Sequence, residues 1–109
     1  MSKLVLKDKP TLADIQQYVK DMEADRGFTD FDVISQCLML AEEVGELFKC
    51  IRKTHTDLGM DAAKKYDIDP AGEVADVLIM LTAIANRLNI DIEQAFRDKE
   101  EKNKKRTWQ

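Results

Sequence analysis

Asp69-Pro70-Ala71-Gly72-Glu73-Val74-Ala75-Asp76-Val77-Leu78-Ile79-Met80-Leu81-Thr82-Ala83-Ile84-Ala85-Asn86-Arg87-Leu88 is the stretch on which the fold turns. Asp69 has the side chain of an N-cap, and Pro70 suits the first helical position, where its missing N–H is not needed. From Val74 to Leu88 the residues are almost entirely apolar: Val74, Val77, Leu78, Ile79, Met80, Leu81, Ile84 and Leu88. A helix apolar nearly all round is a central one, covered by neighbours on more than one side. Asn89 and Asp91 mark the next break. Asp91 with Gln94 then makes a cap-like start for a last helix to about Lys105, amphipathic at first and strongly charged later.

Upstream, two more helices are legible. Thr11 after Pro10, with Asp14 three residues on, is a weak capping box. Leu12, Ile15, Val19 and Met22 follow as one apolar stripe, and Gly27 ends the helix in the left-handed conformation that glycine adopts at little cost. A second helix is expected from about Asp30 to Lys53, with a broad apolar face that includes Val33, Cys37, Leu40, Ala41, Val44, Leu47, Phe48 and Ile51. Thr54 to Asp69 mixes charge with Gly59 and shows only a short helical hint around Met60 to Tyr66. It reads as a mobile loop of functional length. The expectation is one all-α domain over residues 1–109, a four-helix bundle-like arrangement with core helices at about 11–105.

Composition agrees. The chain has 109 residues, 44% hydrophobic and 35% charged, with four glycines and two prolines, which suits helices better than loops or disorder. A net charge of −4 argues against nucleic acid as the main partner, though not against a small phosphorylated ligand whose charge a metal ion offsets. Cys37 and Cys50 lie inside helical patterns without metal-ligand spacing and read as reduced core thiols. The start is too short in apolar residues for a signal peptide, and no stretch reaches the roughly 18 apolar residues of a membrane span. A cytoplasmic protein is expected.

The chemistry sits in a repeat. Ala41-Glu42-Glu43-Val44-Gly45-Glu46-Leu47 and Ala71-Gly72-Glu73-Val74-Ala75-Asp76-Val77 share Ala, Glu and Val, then a small residue, an acid and an aliphatic. At about 100° per residue, acids at i and i+3 stand about 60° apart and converge on one side of their helix. Packing the two apolar faces together brings Glu43, Glu46, Glu73 and Asp76 into one pocket. Four close carboxylates repel one another and raise their pKa values. A hard divalent cation resolves the conflict, and an all-oxygen donor set suits Mg²⁺ or Mn²⁺ rather than Zn²⁺. Glu42 either adds a ligand, orients or deprotonates a water, or faces solvent.

Glu42-Glu43-Val44-Gly45-Glu46, followed after a spacer by Glu73-Val74-Ala75-Asp76, resembles the EExxE…ExxD signature of the MazG-like, all-α nucleoside triphosphate pyrophosphohydrolases. The resemblance covers roughly residues 31–106. It implies cleavage between the α- and β-phosphates of a nucleoside triphosphate, giving monophosphate and pyrophosphate, with Glu43, Glu46, Glu73 and Asp76 as Mg²⁺ ligands. Glu42, beside them, is the candidate that assists the water. Lys99, Asn103 and Arg106 read K-x-x-x-N-x-x-R, as in several family members, where such residues contact phosphate or nucleotide. On a helix these three share one face. The resemblance also points to a homodimer or dimer of dimers, as does the apolar character of the third helix. The spacer contains no base-recognition motif, so base and sugar stay open.

Two other classes compete. A helical adaptor with a solvated acidic face requires no metal. A di-iron carboxylate protein requires Glu-x-x-His pairs in a bundle, and the single histidine, His55, lies outside both motifs and takes no catalytic role. Trp108 reads as a surface aromatic.

Overall fold

The computed structural model describes residues 4–57 and 68–106. They form four α-helices, α1 (Leu12–Arg26), α2 (Val33–His55), α3 (Pro70–Arg87) and α4 (Ile92–Lys104), and no strand is present among the described residues. The protein is all-α. The expected helical hint at 60–66 and Trp108 fall outside the described residues.

Local chemistry sets most of the boundaries. Thr11 caps α1 through a complete capping box: its Oγ1 accepts from the Asp14 N–H at 3.1 Å, and the Asp14 carboxylate accepts from the Thr11 N–H at 2.8 Å. These bonds, with Lys7 at 3.1 Å, hold the Asp14 carboxyl below its ordinary pKa. Gly27, at φ 76°, is the left-handed C-cap. α2 begins later than expected because the Asp32 carboxylate, not that of Asp30, takes the cap and accepts from the Ser35 N–H at 2.7 Å. It also runs further, to His55, where the Thr56 N–H bonds the Arg52 carbonyl at 3.1 Å. Asn89, at φ 55°, turns the chain after α3, and Asp91 caps α4 through the Gln94 N–H.

The helices divide into two compact units. Met1–Phe31 with Thr82–Gln109 makes one; Asp32–Leu81 makes the other. In the first, Val19 and Met22 of α1 and Ala83 and Ala85 of α3 are buried, and Gln16 ties three segments together. Its amide bonds Asn86 Oδ1 at 3.0 Å and the Ile90 carbonyl at 2.8 Å, while its oxygen accepts from the Ile92 N–H at 2.9 Å. Glu23 at the end of α1 forms a buried ion pair with Arg87 at the end of α3. The second unit contains α2 and the first three turns of α3. Cys50 and Gln36 are buried on α2.

Three expectations need correcting. Cys37 is exposed, so only Cys50 is a core thiol. The α2 face is only partly covered, with Phe48 64% exposed. α3 is not enclosed all round either: Val74, Leu78, Leu81 and Leu88 stay exposed, Val74 at 55%.

Candidate metal and phosphate site

The second unit assembles the acids. On α2, Glu43 is half-buried while Glu42 and Glu46 are exposed. On α3, Glu73 belongs to the first turn, where the unpaired N–H groups and the helix dipole favour an acid; its N–H bonds the Asp69 carbonyl at 3.1 Å. Gly72 gives the Asp69 carboxylate room to lie over that turn, since a Cβ at residue 72 would collide with Asp69 Oδ2. Asp76, one turn on, is exposed.

Side-chain oxygens of Glu43, Glu73 and Asp76 all lie within 4.8 Å of one another. Two ligands on opposite sides of a magnesium ion, each at about 2.1 Å, stand about 4.2 Å apart. Ligands at right angles stand about 3.0 Å apart, so the three carboxylates converge towards one point and share a cation once their side chains draw closer together. Hard oxygen donors without a soft ligand fit Mg²⁺ or Mn²⁺. Glu46 falls outside this trio. It lines a neighbouring cavity of about 100 Å³ together with Lys49, Cys50, Lys53, Ile68, Asp69 and Glu73.

The crowding leaves an electrostatic signature. Burial first, then the charges of Asp76, Glu73, Glu46 and Glu42, push the Glu43 carboxyl above its ordinary pKa. The folded state thus holds this proton more tightly than the unfolded chain. Its stabilising effect is full below the ordinary glutamate value and is lost as pH rises through the raised one. At neutral pH the ionised Glu43 works against the metal-free fold. Glu43→Gln is expected to raise the melting temperature of metal-free protein at pH 7, with the gain shrinking as pH falls to about 4. An equal gain at both pH values would assign the effect to something other than charge.

Lys99, Asn103 and Arg106 belong to the other unit. Lys99 and Asn103 lie on α4, but the helix ends at Lys104 and Arg106 follows it, so the three do not share one helical face. The last turn tightens there: the Lys105 N–H bonds the Lys102 carbonyl at 3.2 Å and the Arg106 N–H bonds that of Asn103 at 3.1 Å. Asn103 Oδ1 is buried without a hydrogen-bond partner among the described residues.

Several residues escaped the sequence reading. Gln36 is 3% exposed, with its Oε1 unpaired, and lies two turns before Glu43 on the same side of α2. Lys49 and Lys53 were hidden in what reads as the solvated half of an amphipathic helix. The signal that could have found them is position: they follow Glu46 at i+3 and i+7.

An all-helical chain that gathers carboxylates from two helices, each carrying acids at i and i+3, defines the class. The family model of the MazG nucleotide pyrophosphohydrolase domain matches residues 31–109, and the chain belongs to that family. It is 36% identical over 99 residues to a dATP/dGTP diphosphohydrolase of Salmonella phage PMBT28 and 35% identical over 101 residues to dCTP pyrophosphatase 1 of Mus musculus. These matches take in 91% and 90% of this chain but only 28% and 59% of the relatives' lengths.

Proposed function

We propose that the chain hydrolyses nucleoside triphosphates to the monophosphate and pyrophosphate, as a single catalytic domain using a divalent cation held by Glu43, Glu46, Glu73 and Asp76. The observation that carries this reading is the approach of Glu43, Glu73 and Asp76 to within 4.8 Å from two helices. Mg²⁺ bound among these carboxylates supplies Lewis-acid charge neutralisation at the phosphate oxygens and a more acidic water. Glu46 completes the donor set by a side-chain rotation, since it is exposed and one turn from Glu43. Glu42, exposed beside Glu43, takes the proton of the attacking water on a carboxylate oxygen as that water approaches the α-phosphorus. Lys99, Asn103 and Arg106 contact the phosphates or nucleotide. For Asn103 the support is its buried, unpaired Oδ1, which gains a partner when a donor arrives.

The names of the two relatives both specify deoxynucleoside triphosphates and differ in the base. Deoxynucleoside triphosphates are accordingly the substrate class to test first. A panel of ribo- and deoxynucleotides, with pyrophosphate and orthophosphate measured separately, decides it. Pyrophosphate release in the presence of Mg²⁺ supports the reading; no release from any triphosphate sinks it.

We also infer a homodimer or dimer of dimers. Phe48, Val74, Leu78 and the 65% exposed Leu38 are large apolar side chains on two neighbouring helices, and such surface is normally buried by association. Sedimentation at micromolar concentration is expected to give at least twice the 12.5 kDa chain mass. A monomer at that concentration contradicts it.

A further inference from the structure

The cavity beside the carboxylate trio carries two positive charges, those of Lys49 and Lys53, that the proposed metal chemistry does not use. Glu46, Asp69 and Glu73 line it, and so do Lys49 and Lys53. The lysines stand at i and i+4 on α2, where their Cβ atoms are about 5–6 Å apart and their like charges repel. Glu46 lies one turn before Lys49, within reach of an ordinary helical ion pair. Yet neither lysine takes part in an ion pair among the described residues. Two lysines that line one cavity, repel each other and leave nearby acids unpaired suit an anion from outside the chain. Lysine suits that task, because its three donors rotate on a flexible stem and meet tetrahedral phosphate oxygens as a point charge.

Glu73 fixes where that anion lies. It belongs both to the carboxylate trio and to the cavity wall. A group in the cavity is therefore one side chain away from the cation-binding oxygens. A substrate whose α-phosphate meets the trio extends its remaining phosphates into the cavity or away from it. In the cavity they meet Lys49 and Lys53.

We propose that Lys49 and Lys53 hold the terminal phosphates of the substrate, and then the departing pyrophosphate, in the cavity that shares Glu73 with the carboxylate trio. The inference rests on the reading of the chain as a triphosphate pyrophosphohydrolase and goes beyond it by assigning the polyphosphate end to α2. It makes the site selective for polyphosphate over monophosphate, since a nucleoside monophosphate has nothing to place between the lysines.

The test uses the full chain with Lys49→Met, Lys53→Met, the double variant, and the double Lys→Arg variant as a conservative rescue. Two quantities are read: calorimetric affinity for inorganic pyrophosphate with Mg²⁺, and steady-state kinetics with product inhibition. The double Met variant is expected to weaken pyrophosphate binding and raise KM for the triphosphate at least tenfold. Inhibition by the nucleoside monophosphate should move less than twofold, and the Arg pair should restore most of the loss. Unchanged pyrophosphate affinity in the double Met variant overturns the proposal, as does an equal loss for the monophosphate. If the wild type releases no pyrophosphate from any triphosphate, the functional reading has failed instead. The calorimetric comparison still decides the role of the lysines, because it requires no turnover.

Discussion

Asp76→Asn is expected to abolish turnover at every substrate concentration, by about a hundredfold or more, while leaving the fold intact. The carboxamide nearly matches the carboxylate in shape but lacks the charge that the cation needs. Because charge builds up on the phosphate oxygens as pyrophosphate departs, the loss falls on kcat and not only on KM. Asp76 is exposed, so no core packing is disturbed. Removing one of three crowded acids also relieves repulsion, and the metal-free variant should melt no lower than the metal-free wild type. The two proteins should separate when Mg²⁺ is added. A ligand bound only by the folded state stabilises it by about 2.7 kcal/mol at a hundred times its Kd, several degrees in a domain of this size. Wild type should show that shift and Asp76→Asn should not. Full activity in the variant, or orthophosphate as the sole inorganic product of the wild type, would mean that the carboxylates do not hold the catalytic cation or that attack falls on another phosphorus.

The trio was legible in the sequence because its information is local. Acids at i and i+3 lie on one side of a helix, and matching contexts on two helices mark the faces that meet, although Glu46 of the first pair stays outside the trio. Caps were equally legible at Thr11, Gly27 and Asp91, where one side chain or one φ angle decides. Asp30 and Asp32 show the limit: both are good caps two residues apart, and only the hydrogen bond to Ser35 selects between them. Burial was harder to read. The apolar pattern of α3 says that the helix needs covering and points to a partner chain, but not which side chains the chain's own helices leave open, and Val74 and Leu78 are among these. Cys37 was misplaced for the same reason, because a broad apolar face does not say which part of it a neighbour reaches. The lysines beside Glu46 were passed over because charged residues on the outer face of a helix look alike until a cavity is seen between them.

Glu23 and Arg87 were the least legible of all, being 64 positions apart, and together they make the second large prediction. Arg87 reads as a basic residue closing an apolar helix, favourable to the dipole and nothing more. In the structure its guanidinium grips both Glu23 oxygens, with Nη1 3.0 Å from Oε1, and also donates to the carbonyls of Phe28 at 3.0 Å, Phe31 at 2.6 Å and Ala83 at 3.0 Å. The two side chains are 15% and 7% exposed, so water cannot replace a lost partner. Removing either one strands a buried charge, and Glu23→Ala or Arg87→Ala is expected to cost about 3–5 kcal/mol in denaturant unfolding. The double variant should cost much less than the sum, because it strands no charge. Arg87→Lys keeps the charge but loses the planar fork and its carbonyl bonds, and it should fall between wild type and Arg87→Ala. Single losses below about 1 kcal/mol would place the pair among exposed ion pairs. Strict additivity would show that the carbonyl bonds to Phe28 and Phe31, not the ion pair, hold the turn after α1 against the end of α3.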